Sequence, residues 1–164
     1  SWLEEHLCLI PMFPRRPGCS VVEGKDITLP KVKALAKAAD DCWSAILDMD
    51  LDRFAAAYKA SFEAQVAMFP GMVNPTSTDG ATTENPSSHI QKGIAQGDLT
   101  SAKSSEEEFL PSVQAYIDEY SRMPGVLAWK MPGAGGGGYL ALVCTSRHTF
   151  PKGAIEITVR RGGM

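Results

Sequence analysis

The run Pro132-Gly133-Ala134-Gly135-Gly136-Gly137-Gly138 is where this 164-residue chain comes closest to declaring a chemistry. It admits three readings. A glycine-rich run can be a flexible spacer. Here, however, Val126-Leu127-Ala128-Trp129-Lys130-Met131 and Tyr139-Leu140-Ala141-Leu142-Val143-Cys144 abut it directly, both short, apolar and strand-like, and leave no room for a spacer between domains. It can be a hairpin turn that needs positive backbone φ, which one or two glycines would satisfy. Or it can be a loop that lets a ligand reach the backbone with no Cβ in the way. Successive N–H groups then form a concavity suited to phosphate, with Gly133, Ala134, Gly135, Gly136, Gly137 and Gly138 as its candidate residues.

Few other residues group by type. Arg15 and Arg16 follow the first apolar run; guanidinium forks suit phosphate or substrate oxygens, and solvated loop charge is the plainer reading. Lys130 precedes the glycine run, and strand alternation can send it to either face. Asp48, Asp50 and Asp52 are close in sequence but flank a helix junction, where acids serve as caps and solvated face. His6, His89 and His148 are far apart and lack metal-ligand spacing, so no metal site is assigned. Cys8, Cys19, Cys42 and Cys144 form no CxxC pair; three sit in apolar contexts, which suits reduced thiols in a cytoplasmic protein.

The elements that must position these groups are legible from periodicity. Leu7 to Met12 is a short apolar run closed by Pro14-Arg15-Arg16-Pro17-Gly18, a strand and then a loop. Thr28-Leu29-Pro30 is a helix entry, with a hydroxyl cap and Pro in the first turn. Val32, Leu35, Ala36, Ala39, Trp43, Ile46 and Leu47 then recur at three and four residues, as one buried stripe. Asp50 caps a second helix with the stripe Leu51, Phe54, Ala55, Tyr58, Phe62, Val66 and Phe69, ended by Pro70-Gly71. The two predict a helical hairpin. Residues 74–104 lose this character: Thr, Ser, Asn, Gly and Pro dominate, with too little apolar surface to offset ordering entropy, so a long loop or insertion is expected. Ser105-Glu106-Glu107-Glu108 has capping-box spacing, and Phe109, Leu110, Val113, Tyr116, Ile117 and Tyr120 mark a third helix. Ala154 to Arg160 alternates as a half-exposed strand. One domain over residues 1–164 results, an α+β sandwich with helices on one face of a mostly antiparallel sheet.

Bulk composition narrows the partners. A net charge of -3 points away from a nucleic-acid groove or an anionic membrane surface. No apolar run approaches the ~20 residues of a membrane span. Ser1-Trp2-Leu3-Glu4-Glu5 lacks the features of a secretion signal, and the missing initiator Met suggests a piece of something longer.

Lys130-Met131-Pro132-Gly133-Ala134-Gly135-Gly136-Gly137-Gly138-Tyr139-Leu140-Ala141-Leu142 closely resembles the third conserved motif of the GHMP kinases, a Lys, then Gly-Ala-Gly-Gly-Gly-Gly, then an aromatic and an apolar strand. Ala134 and the aromatic Tyr139 are most similar to the sugar-kinase branch, which includes galactokinases, heptose kinases and fucose kinases. The resemblance implies a ferredoxin-like C-terminal domain with Gly133 to Gly138 at an interdomain cleft, bordering the phosphoryl-transfer site. It implies ATP and Mg2+ as cofactors of the complete enzyme and an N-terminal kinase domain as partner, with a sugar or other small alcohol as substrate. The family's other two motifs, including its Pro-x-Gly-x-Gly-Leu-Gly-Ser-Ser type loop, are not found, and no catalytic base is assigned. The expectation is therefore the substrate-side portion of a longer kinase, inactive alone. The alternative is a non-catalytic α+β interaction or metabolite-binding module.

Overall fold

The computed structural model describes residues 1–77, 112–160 and 162. The expected capping box at 105–108, Phe109, Leu110, His89 and most of the expected loop at 74–104 lie outside the described residues.

The first apolar run forms β1 (Leu7–Pro11), preceded by a five-residue helix, α1 (Trp2–His6). Helix α1 is too short to show a period; His6 fixes it by placing Nδ1 3.0 Å from the Cys144 carbonyl oxygen. A two-residue strand, β2 (Cys19–Ser20), leads to the hairpin of α2 (Leu29–Asp48) and α3 (Leu51–Met68). Thr28 occupies the N-cap of α2 with extended backbone, but its hydroxyl makes no capping hydrogen bond. Asp50 does cap α3, accepting from the Arg53 N–H at 3.0 Å, and Asp48 accepts from the Arg53 guanidinium at 2.7 Å. Two of the three clustered acids are thus engaged at the helix junction. A single 3-10 turn, Pro70–Met72, ends α3; then come β3 (Thr76–Ser77), which pairs with β2, and α4 (Val113–Tyr120). Strands β4 (Val126–Lys130) and β5 (Tyr139–Cys144) flank the glycine run, and β6 (Ile155–Glu156) closes the chain order.

The main sheet has four strands in the order β4-β5-β1-β6, all neighbours antiparallel. The fold is α+β, a four-stranded antiparallel sheet with helices packed against it. Strand β5 pairs on both sides, with Leu142 opposite Cys8 on β1 and opposite Trp129 on β4. Because strand side chains alternate, β5 feeds two cores. Leu140, Leu142 and Cys144 join Cys8, Ile10, Phe62 and the α4 residues Val113 and Ile117. Val143 joins Ala128, Ala45, Phe54 and Ala55 of the helical hairpin. Both faces of the sheet are therefore covered, where the strand pattern suggested helices on one.

Two further expectations are corrected. The final strand pairs only at Ile155 and Glu156, both exposed. Beyond them the Val159 N–H is taken by the Glu4 carboxylate at 2.7 Å, so alternation through Arg160 does not become a ladder. The α2 stripe is also turned outward. Its fully buried residues are Ala38 and Ala45, the small face that lets α3 approach closely. Leu35, Cys42 and Ile46 are half-buried, whereas Val32, Trp43 and Leu47 stand 44%, 63% and 62% exposed. With Leu29 and Met49 they leave an apolar face with no covering layer among the described residues. The chain should therefore self-associate in analytical ultracentrifugation. The double substitution Trp43→Glu, Leu47→Glu should return it to monomer while changing stability by no more than about 0.5 kcal/mol.

The four cysteines are free thiols. Cys8 and Cys144 are buried and share a hydrogen bond, which together with burial pushes the Cys8 thiol far up and keeps it protonated.

Candidate functional site

The glycine run forms the connection between β4 and β5, and the chain fixes it from three directions. Met131, fully buried, seats its start in the core. The Gly136 N–H donates to the Met72 carbonyl at 2.7 Å, the Gly138 N–H to the Phe13 carbonyl at 2.8 Å, and the Gly138 carbonyl accepts from the Met12 N–H at 2.8 Å. The loop is thus tied to the segment after β1 and to the turn after α3. It is not a spacer.

Positive φ is required at Gly133, Gly135, Gly136, Gly137 and Gly138. Close approach separates them further. A Cβ on Gly137 would lie 2.8 Å from both the Arg15 nitrogen and the Phe13 oxygen; on Gly135 it would meet Met72, and on Gly136 the Val21 side chain. At Gly133 and Gly138 nothing stands within 4 Å. Three glycines therefore admit the chain's own atoms, and two border open space.

The N–H groups of Gly133, Ala134 and Gly137 carry no hydrogen bond among the described residues. Two consecutive donors on an exposed turn, held by bonds made elsewhere in the loop, are a preorganised partner for an anionic oxygen. Arg15 and Arg16 are brought to the same place: the Arg15 backbone packs against Gly137, and Arg16 lines a cavity of about 460 Å3 together with Phe13, Ser112 and Gly136. The Arg16 guanidinium lies 5.9 Å from the centre of the Phe13 ring. On the other side, Gly133 and Ala134 border a smaller cavity with Gln65, whose buried Oε1 has no hydrogen-bond partner among the described residues. That acceptor gives the loop's surroundings a place for a donor such as a hydroxyl.

Lys130 points away from the run it precedes. Alternation along β4 puts it with the fully buried Ala128, toward α3, and Trp129 toward the other core. Its Nζ donates to the Ser61 Oγ at 2.8 Å and lies 5.8 Å from the centre of the Tyr58 ring. Ser61 in turn donates to the Tyr58 carbonyl at 2.7 Å. Burial lowers the Lys130 pKa below that of an ordinary lysine, with Cys42 opposing the shift. Burial also pushes Tyr58 up to about 12, and it raises the Cys42 thiol against the pull of Lys130. Sequence spacing alone does not assemble this group. Tyr58 and Ser61 share an α3 face at i,i+3 spacing, and only the β4–α3 contact brings Lys130 to it.

A consequence follows for pH. The folded chain binds the Lys130 proton less firmly than the unfolded chain, so this group weakens the fold below its lowered pKa, and the loss fades as pH rises toward the unfolded value of about 10.5. Lys130→Met, similar in length and without charge, should therefore raise the melting temperature at pH 7. Thermal melts should show that gain shrinking toward pH 10. An equal gain at both pH values would place its origin in packing.

No family model matches the chain, and no curated protein or solved structure matches it.

Proposed function

We propose that this chain is the substrate-side domain of an ATP-dependent small-molecule kinase of the GHMP type, acting on a sugar. The observation that carries the reading is the β4–β5 loop, whose sequence resembles that family's third motif. The Gly133, Ala134 and Gly137 N–H groups remain open to an anion while the Gly136 and Gly138 N–H groups are spent on holding the loop. Phosphoryl transfer is mostly positioning and charge neutralisation, and fixed backbone donors beside a guanidinium serve both. Arg16 would steady a phosphate or substrate oxygen from across the larger cavity, and Gln65 would accept from a hydroxyl. In this reading the sheet and helices form a ferredoxin-like domain in a cytoplasmic enzyme. An N-terminal kinase domain would hold Mg2+ and the greater part of ATP, and would cover the apolar face of α2.

The test is ADP release by the product of the complete gene against a panel of sugars, with this chain alone as control. Turnover by the long form alone is expected. Arg16→Ala in the long form should lower it about 100-fold, the loss typical of one missing charge-stabilising donor. No turnover of any sugar or small alcohol by the long form would end the kinase reading.

A second reading rests on the same glycines. Gly135, Gly136 and Gly137 are accounted for by contacts within the chain, as a purely structural hairpin in an interaction or metabolite-binding module would require. Such a module would be monodisperse alone and would bind its ligand without a partner domain.

A further inference from the structure

A cavity of about 380 Å3 lies apart from the glycine run, in the wedge between α1, α2 and α3. Its walls are mostly apolar, with Leu3, Leu7, Leu35, Ile46 and Phe54 among the residues that line it. Its volume is within the ~300–1,000 Å3 of small-molecule sites. Lys130 is the one charged residue among those lining it.

The Lys130 ammonium is incompletely served. It has three N–H donors, and one goes to the neutral Ser61 hydroxyl at 2.8 Å. No described carboxylate lies within 4.0 Å of it. A half-buried cation beside apolar walls is costly unless an anion completes it, and a carboxylate does so with charge-assisted hydrogen bonds. Burial lowers the Lys130 pKa below that of an ordinary lysine, with Cys42 opposing the shift. Trp43, 63% exposed, also lines the cavity and adds to its apolar wall.

We propose that this cavity binds a small amphiphilic carboxylate, an unbranched medium-chain fatty acid or its chemical equivalent, with the carboxylate on Lys130 and the chain along Leu3, Leu35 and Ile46. The complementarity is specific in sign: an alcohol of equal length fills the walls equally well and leaves the ammonium without its anion.

Isothermal titration calorimetry with decanoate and decanol on the full chain tests this. The expected result is one decanoate per chain, with decanol at least about tenfold weaker, the scale of one charge-assisted hydrogen bond. Lys130→Met should weaken decanoate about tenfold and leave decanol unchanged. The decanoate–decanol comparison on the unsubstituted chain stands even where that variant folds poorly. The proposal is overturned by no decanoate binding, by equal binding of the two ligands, or by many decanoates per chain taken up alike with and without Lys130. It is overturned too if the chain dimerises through this wedge and excludes decanoate.

Discussion

Gly137→Ala is expected to remove roughly 4 kcal/mol of stability, the larger part of what a domain of this size commonly has. Two costs combine. The residue has φ of 147°, outside the range an L side chain normally adopts. The added methyl would also sit 2.8 Å from the Arg15 nitrogen and the Phe13 oxygen, backbone atoms that no rotamer change can move aside. Relief would require the segment after β1 to withdraw, and with it the Gly138–Phe13 and Met12–Gly138 hydrogen bonds that anchor the hairpin. Gly138→Ala makes the control. Its φ is also positive, at 92°, but its Cβ would meet open space, so strain alone should cost about 1 kcal/mol. Urea denaturation of the two variants should therefore separate their midpoints widely. Equal, small losses would mean that the loop does not pack on Phe13 and Arg15, and that all five glycines serve a ligand or nothing.

The contrast between these neighbouring glycines shows where sequence reading stops. That the run turns between two buried strands is legible, because Val126–Met131 and Tyr139–Cys144 declare themselves by composition. Which glycine faces a ligand and which faces the chain depends on Met72, Val21 and Phe13, brought in from distant segments with no periodic relation to the loop. The same division recurs elsewhere. Asp50 reads as a cap and is one, since capping is local and its partner is Arg53, three residues on. The α3 stripe reads correctly, because α3 packs against β4 on one side and α2 on the other. The α2 stripe misleads: its large apolar residues suit a core, yet the face that meets α3 is alanine-rich. Sequence alone does not decide the facing of Lys130, for a similar reason. Its facing follows from the bulge between Val126 and Ala128, which shifts the β4 register and has no sequence signature.

That inversion sets up the second large effect. Leu142→Ala is expected to cost about 3–5 kcal/mol, whereas Trp43→Ala, removing a much larger side chain, should cost under about 0.5 kcal/mol in the isolated chain. Leu142 is fully buried on a strand paired from both sides, between Cys8 and Trp129, in the cluster that joins β1, β5 and α4. Little can collapse into the space its truncation leaves, because its neighbours are held by the sheet ladder. Trp43 is 63% exposed, so little of its apolar surface is withdrawn from water on folding of this chain. The order should reverse in any assembly that covers α2. There Trp43 becomes a central aromatic among the apolar residues of the exposed α2 face, the position from which single truncations cost most. Measuring both variants by denaturation of the chain alone, and Trp43→Ala again within the longer kinase proposed above, separates the alternatives. A Trp43 penalty that appears only in the longer protein places a partner domain on this face. A penalty absent from both leaves the face to solvent and removes the principal support for a second domain there.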